Sequence, residues 1–373
     1  MRRFHILKPG KSGLHALYDL AGAAAAAAMG CLLAFWSCGS SYSAAGGAVD
    51  SARPAGTFIN PLLSSGADPW VIQQDTTYYY MNTLGDRLAI RATGRMSALG
   101  SARPVTVWVP PAAGPCSKDI WAPELHRFNG KWYLYFAADD GNNAHHRIYA
   151  LENDRADPLS AGWAFKGKLA DPGADRWAID ASAFEFRGKL YIIWSGWADT
   201  VNVAQNIYIA ALADPLTISG HRVLLSSPTL AWEKPGAPPA VNEGPEALIN
   251  PSTGQLFLTY SAGGCWTDGY CLGLLTLRRD GDPLRAADWS KSAKPVFATA
   301  AAEHAYAPGH NGYFVSRDGK QSWLIYHANS SPGQGCGGAR SPRIQSFAWS
   351  NAGTPIFGLP ARIDSPMAKP GGE

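Results

Sequence analysis

Short apolar runs alternate with turn residues along the chain, and five of those runs share one layout. They are Tyr78-Tyr-Tyr-Met-Asn, Trp132-Tyr-Leu-Tyr-Phe, Leu190-Tyr-Ile-Ile-Trp, Leu256-Phe-Leu-Thr-Tyr and Trp323-Leu-Ile-Tyr-His, starting 54, 58, 66 and 67 residues apart. Aromatic and β-branched runs of this length, bounded by Gly or Asn, read as strands. Several are followed by another strand, at Arg87-Leu-Ala-Ile-Arg, Arg147-Ile-Tyr-Ala-Leu, Asn206-Ile-Tyr-Ile-Ala and Leu272-Gly-Leu-Leu-Thr-Leu. Each repeat predicts a small antiparallel sheet. One such sheet cannot bury both its faces, whereas sheets packed radially cover one another and expose only short edges. The expected fold is all-β, a five-bladed β-propeller over residues 50–366, with a flexible Gly/Pro-rich tail at 367–373. A β-sandwich whose hairpins look alike through shared composition is the alternative.

Composition supports strands over helices: the 373 residues include 40 glycines and 27 prolines, and the 46% hydrophobic content suffices for a large core. The net charge is +3, and residues 1–49 account for it through Arg2, Arg3, Lys8 and Lys11 against Asp19. The rest is near neutral, which argues against a nucleic-acid partner. Basic residues, the apolar run Ala21–Trp36 and the small residues after it read as an export leader over residues 1–49. That run falls short of the ~20 apolar residues of a membrane span. The expected location is secreted or periplasmic, with Cys38 a candidate lipid anchor. Export permits disulfides among Cys116, Cys265, Cys271 and Cys336; the short Cys265–Cys271 spacing favours that pair, leaving Cys116 with Cys336. Zinc is disfavoured, since no C-x-x-C or paired-His motif accompanies them.

The aromatic strands serve as a ruler for the strand before each. Asp68, Trp121, Asp180, Glu243 and His310 lie 10, 11, 10, 13 and 13 residues ahead of their rulers. In a propeller those inner strands line one channel, so three carboxylates from separate blades converge. Crowding and burial drive their pKa values apart, and such divergence separates a proton donor from a proton acceptor. Glycoside hydrolysis needs that division. Trp70, Trp121, Trp194 and Trp197 are candidates for stacking on sugar faces, with Phe184 a further substrate-binding candidate.

The motifs Ala67-Asp-Pro-Trp70, Trp121-Ala-Pro-Glu-Leu125, Ile179-Asp-Ala-Ser-Ala-Phe184, Glu243-Gly-Pro245, Gly309-His-Asn-Gly-Tyr-Phe314 and Tyr326-His-Ala-Asn329 together resemble glycoside hydrolase family 43 over about residues 57–362. The resemblance implies a five-bladed propeller that hydrolyses arabinose- or xylose-containing polysaccharides with inversion. It implies Asp68 as general base, Glu243 as general acid and Asp180 as the carboxylate that tunes the acid, with Glu246 as the rival donor. It makes His310 a candidate holder of calcium or another ion in the channel, no cofactor being required, and Arg343 a contact to substrate or carboxylate. The motif run is most similar to the exo-α-L-arabinofuranosidase branch, departing from the usual form at Ala307-Pro308. The implied partner is a plant cell-wall polysaccharide or oligosaccharide; no protein partner is implied and a monomer is expected. A β-xylosidase, an endo-arabinanase, a sugar-binding propeller without activity and an invertase-type propeller are the competing readings.

Overall fold

Each aromatic strand carries apolar side chains on both faces, and the reason is visible in a computed structural model that describes residues 54–373. The leader, with Cys31, Cys38 and the export and lipid readings, lies outside the described residues. The strands are β1 (Thr57–Ile59), β2 (Trp70–Gln74), β3 (Thr77–Met81), β4 (Leu88–Thr93), β5 (Pro104–Trp108), β6 (Lys118–Phe128), β7 (Lys131–Asp139), β8 (Arg147–Asn153), β9 (Ala164–Leu169), β10 (Ala178–Phe186) and β11 (Lys189–Trp197). They continue as β12 (Ala204–Asp214), β13 (Thr217–Ser226), β14 (Ala240–Ile249), β15 (Leu256–Ala262), β16 (Cys271–Leu277), β17 (Trp289–Lys291), β18 (Tyr306–Val315), β19 (Ser322–Asn329), β20 (Ser341–Trp349), β21 (Pro355–Ile356) and β22 (Pro366–Ala368). The architecture is all-β, with only short 3-10 turns as helical elements among the described residues.

Strands β2 to β21 form five successive units of four antiparallel strands. The third and fourth units join edge to edge, because β12 and β14 pair in parallel at Ala204↔Ala240 and Gln205↔Val241. Alternation along each second strand sends its side chains into two different cores. In β11, Ile192 and Trp194 pack against the second unit, while Tyr191 and Ile193 pack against the fourth. In β19, Trp323 and Ile325 pack against the first unit, while Leu324 and Tyr326 pack against the fourth. A strand covered on both sides reads as a continuous apolar run instead of an alternating one. Truncating such a residue, for example Trp323→Ala, costs about 3–5 kcal/mol.

The segment expected to be a flexible tail is tied down. Strand β22 pairs with β1, Lys369 N–H donates to the Gly56 carbonyl, and the Glu373 carboxylate accepts from the Met96 and Ser97 amides at 2.8 and 3.1 Å. Gly/Pro content signals a lack of regular repeats, not a lack of partners.

The expected cysteine pairing is also replaced. Cys265 bonds to Cys336, with Cα atoms 5.0 Å apart, and Cys116 and Cys271 are buried free thiols. Cys271 opens β16 with its side chain in the core between the third and fourth units.

Candidate active site

The first strands of the units start with a kink. Asp68, Ala122, Asp180, Gly244 and His310 have φ of 56°, 42°, 58°, 51° and 45°, the left-handed region. In β6, β10, β14 and β18 the pairing register shifts beside these residues, the mark of a bulge. Bulges re-aim side chains, and together with the kink at Asp68 ahead of β2 these four bring five to one cavity: Asp68, Trp121, Asp180, Glu243 and His310 all line a volume of about 370 Å³. The five are not equivalent as the ruler implies. In the first, third and fifth units the kinked residue itself faces the cavity; in the second and fourth it is the residue before, Trp121 and Glu243. Gly244 has a further reason to lack a side chain, since a Cβ there would sit 3.1 Å from the His310 ring.

Asp68 is almost fully buried. Its Oδ2 accepts from Thr83 Oγ1 at 2.7 Å, and its Oδ1 lies 3.1 Å from Arg340 Nη1 and 3.3 Å from His310 Nδ1. Its amide donates to His327 Nδ1 at 3.0 Å, which leaves the His327 proton on Nε2. Burial alone would raise the carboxyl, but Arg340, the two imidazoles and Thr83 outweigh it and hold Asp68 well below the usual carboxylate range. Arg340 is the largest favourable influence in that set, and burial lowers the pKa of both imidazoles.

Glu243 meets the opposite environment. It is partly exposed to the cavity, and Tyr270 donates to its Oε1 at 2.8 Å. Enclosure and the Asp68 charge push its carboxyl up to about 7, despite the Tyr270 bond and Arg340. Asp180 accepts the Gly244 amide at 2.9 Å, so it grips the backbone next to Glu243. Burial, then Glu243 and Asp68, push Asp180 well above the ordinary range. One ionised and two protonatable carboxyls therefore share a cavity.

The other expected contacts divide. Trp121 lines the cavity and stacks on His146 with centroids 4.0 Å apart. Trp70, Phe184, Trp194 and Arg343 do not line it. Trp70 lies between the first two units, its indole donating to Leu125 O and its ring on His126. Phe184 packs on Tyr191, and Trp194 on Tyr208, inside inter-unit cores. Arg343 is fully buried and donates to the carbonyls of His304 and Asn329. The fifth-unit arginine that reaches a carboxylate is Arg340, on the loop before β20. Glu246 is sealed inside, accepting from Ser182 at 3.2 Å, which excludes it as a donor to anything in the cavity.

Among the described residues no group of three His, Cys, Asp or Glu side chains is arranged to hold a metal ion. The one carboxylate beside His310 is Asp68, already engaged by a guanidinium that would repel a cation.

A family model described as glycosyl hydrolases family 43 matches residues 58–355, the stretch that contains all five kinks. The chain belongs to that family. Within family 43, it is 38% identical over 318 residues to the extracellular exo-α-(1→5)-L-arabinofuranosidase of Streptomyces avermitilis, covering 83% of this chain. The chain spans 65% of that relative's length. A protein of the same description from Streptomyces chartreusis is 37% identical over 281 residues, 74% of this chain and 83% of that one. The α-L-arabinofuranosidase of Lactobacillus brevis superposes with a TM-score of 0.76 at 35% identity, covering 83% of this chain and 98% of the other.

Thr83, Tyr270, His327 and Arg340 were not visible as site residues in the sequence. Thr83, Tyr270 and Arg340 come from connecting segments outside the aromatic repeat, and His327 closes the fifth aromatic run. Tyr326-His-Ala-Asn329 was a motif in view, but nothing in it says that the His327 ring receives the Asp68 amide.

Proposed function

We propose that the protein is an inverting, exo-acting glycoside hydrolase that releases terminal α-L-arabinofuranose from arabinan or arabino-oligosaccharides. The observation that carries this reading is the opposed electrostatics of Asp68 and Glu243 within one cavity. Asp68, ionised at any working pH, takes a proton from water as that water attacks the anomeric carbon. Glu243, still holding its proton near neutrality, gives it to the leaving oxygen. The Tyr270 hydroxyl then stabilises the carboxylate that Glu243 becomes. Asp180 fixes the Gly244 backbone beside Glu243. The arabinofuranose preference rests on the similarity to the Streptomyces and Lactobacillus proteins.

The five units are read here as propeller blades. The first strands of consecutive units pack together, β18 packs on β2, and the fifth unit shares a core with the first. Secretion is supported by the basic and apolar leader and by the extracellular label of the Streptomyces relatives. The partner is a cell-wall saccharide, and the protein works as a monomer.

The test is hydrolysis of α-1,5-arabino-oligosaccharides followed by NMR of the first-formed anomer. Release of arabinose with inverted configuration is expected; retention would remove Asp68 from the base role, and release of internal oligomers would make the enzyme endo-acting.

A further inference from the structure

A second depression adjoins the cavity without being part of it. It encloses about 670 Å³ between the loop after β11, the segment Glu233–Ala240 and Gly263–Gly264. These segments lie at the same strand ends as Asp180 and Glu243, and the two hollows meet residue by residue. Ala204 lines the groove and Gln205 the cavity; Gly264 lines the groove and Cys265 the cavity. The parallel pairing of β12 with β14 fixes this seam. At the divide stands Trp266, which lines the cavity, is 46% exposed, and has its indole Nε1 4.0 Å from where a Cβ on Gly236 would lie.

The groove is mainly apolar. Val201, Val203, Pro238 and Pro239 form much of it, and Val203 is 77% exposed. An apolar groove beside a catalytic cavity is a binding surface by its chemistry. Sugar rings offer matching C–H faces, and Asp199 and Asn206 at its wall offer partners for hydroxyls. The floor is rigid: Glu233, fully buried, accepts from Lys291 Nζ at 2.8 Å, Tyr260 OH at 2.9 Å and the Thr229 and Leu230 amides.

Direction follows from the proton donor. If Glu243 protonates the leaving oxygen, the departing part of the substrate lies on its side of the cavity. Ala240, three residues before Glu243 on β14, is groove wall. We infer that this groove holds the departing portion of an arabinofuranosyl chain, with Trp266 as the platform for its first sugar. The inference rests on the proposed hydrolase reading and deepens it: the substrate is an oligomer or polymer that extends past the scissile bond by more than one ring.

The test uses the full chain and two variants on exposed groove positions, Ala237→Arg and Val203→Asp, each checked for an unchanged melting temperature. kcat/KM is measured on α-1,5-arabinotriose and on 4-nitrophenyl α-L-arabinofuranoside, whose leaving group is a single ring. The ratio of the first to the second is expected to fall about tenfold or more, mostly through KM for the trisaccharide. An unchanged ratio in both folded variants overturns the groove assignment. Failure of the unmodified protein to cleave either substrate overturns the hydrolase reading instead, so the two failures are distinguishable.

Discussion

Two groups of carboxyls sit on the kinked strands, one open to the cavity and one sealed beneath the surface. The open group is Asp68, Asp180 and Glu243. The sealed group is Glu124 on β6 and Glu246 on β14, with Ser182 donating to Glu246 and His126 Nε2 2.9 Å from Glu124 Oε2. Burial pushes Glu124 and Glu246 well above the ordinary range, as it does Asp180. It also pulls His126 down to about 3, so that ring is neutral and brings no positive charge. The difference lies in the partners of Asp68: Arg340 first, then His310, His327 and Thr83, reverse the effect of burial there and on no other member of either group. Enclosure alone makes carboxyls neutral and inert; chemistry needs one of them singled out by a cation while another remains in reach of substrate.

The sharpest break of this contrast is removal of the open carboxyls. Asp68→Asn and Glu243→Gln are expected to lower kcat by roughly 10²–10⁴-fold, with circular dichroism unchanged. The sealed group should behave in the opposite way. Glu246→Ala leaves the buried Ser182 hydroxyl without its acceptor and is expected to cost about 1–3 kcal/mol in urea unfolding, while kcat/KM of the folded fraction stays near that of the parent. A catalytic loss from Glu246→Ala as large as that from Glu243→Gln would erase the distinction.

Arg340→Gln probes the singling-out directly. Without the guanidinium the Asp68 carboxyl rises, so the acid limb of the kcat/KM profile should move up by roughly 1–3 pH units. The alkaline limb comes from Glu243, which loses its proton as pH rises through about 7, so activity falls above that point; Arg340→Gln moves that limb far less. An acid limb that stays in place would show that Arg340 is not what keeps Asp68 ionised. The smallest expected effect is that of chelation. Dialysis against EDTA should leave kcat/KM unchanged, because the donor set around His310 makes no cation cage, and a loss restored by calcium would contradict that.

The repeat of aromatic strands made the five units readable, because a strand buried between two cores leaves an apolar run that no loop imitates. The three open carboxyls were readable for a related reason: each stands at a kink marked by Asp-Pro, Asp-Ala or Glu-Gly. What escaped was everything set by contact across units. Trp194 and Phe184 carry the same residue types as a sugar platform, yet strand alternation sends them into cores. Arg340 and Arg343 are three residues apart, and only the start of β20 between them decides that the first meets Asp68 and the second is walled in. The Cys265–Cys336 bond depends on two loops from different units meeting, which spacing along the chain does not encode.

That bond shapes how the protein can be made. Its two sulfurs come from the rim of the cavity, on the loops that also bear Trp266 and Arg340. A reducing cytosol withholds this cross-link, so material produced there would lack the covalent tie between the two rim loops. Expression routed through an oxidising compartment is the condition under which the rim closes.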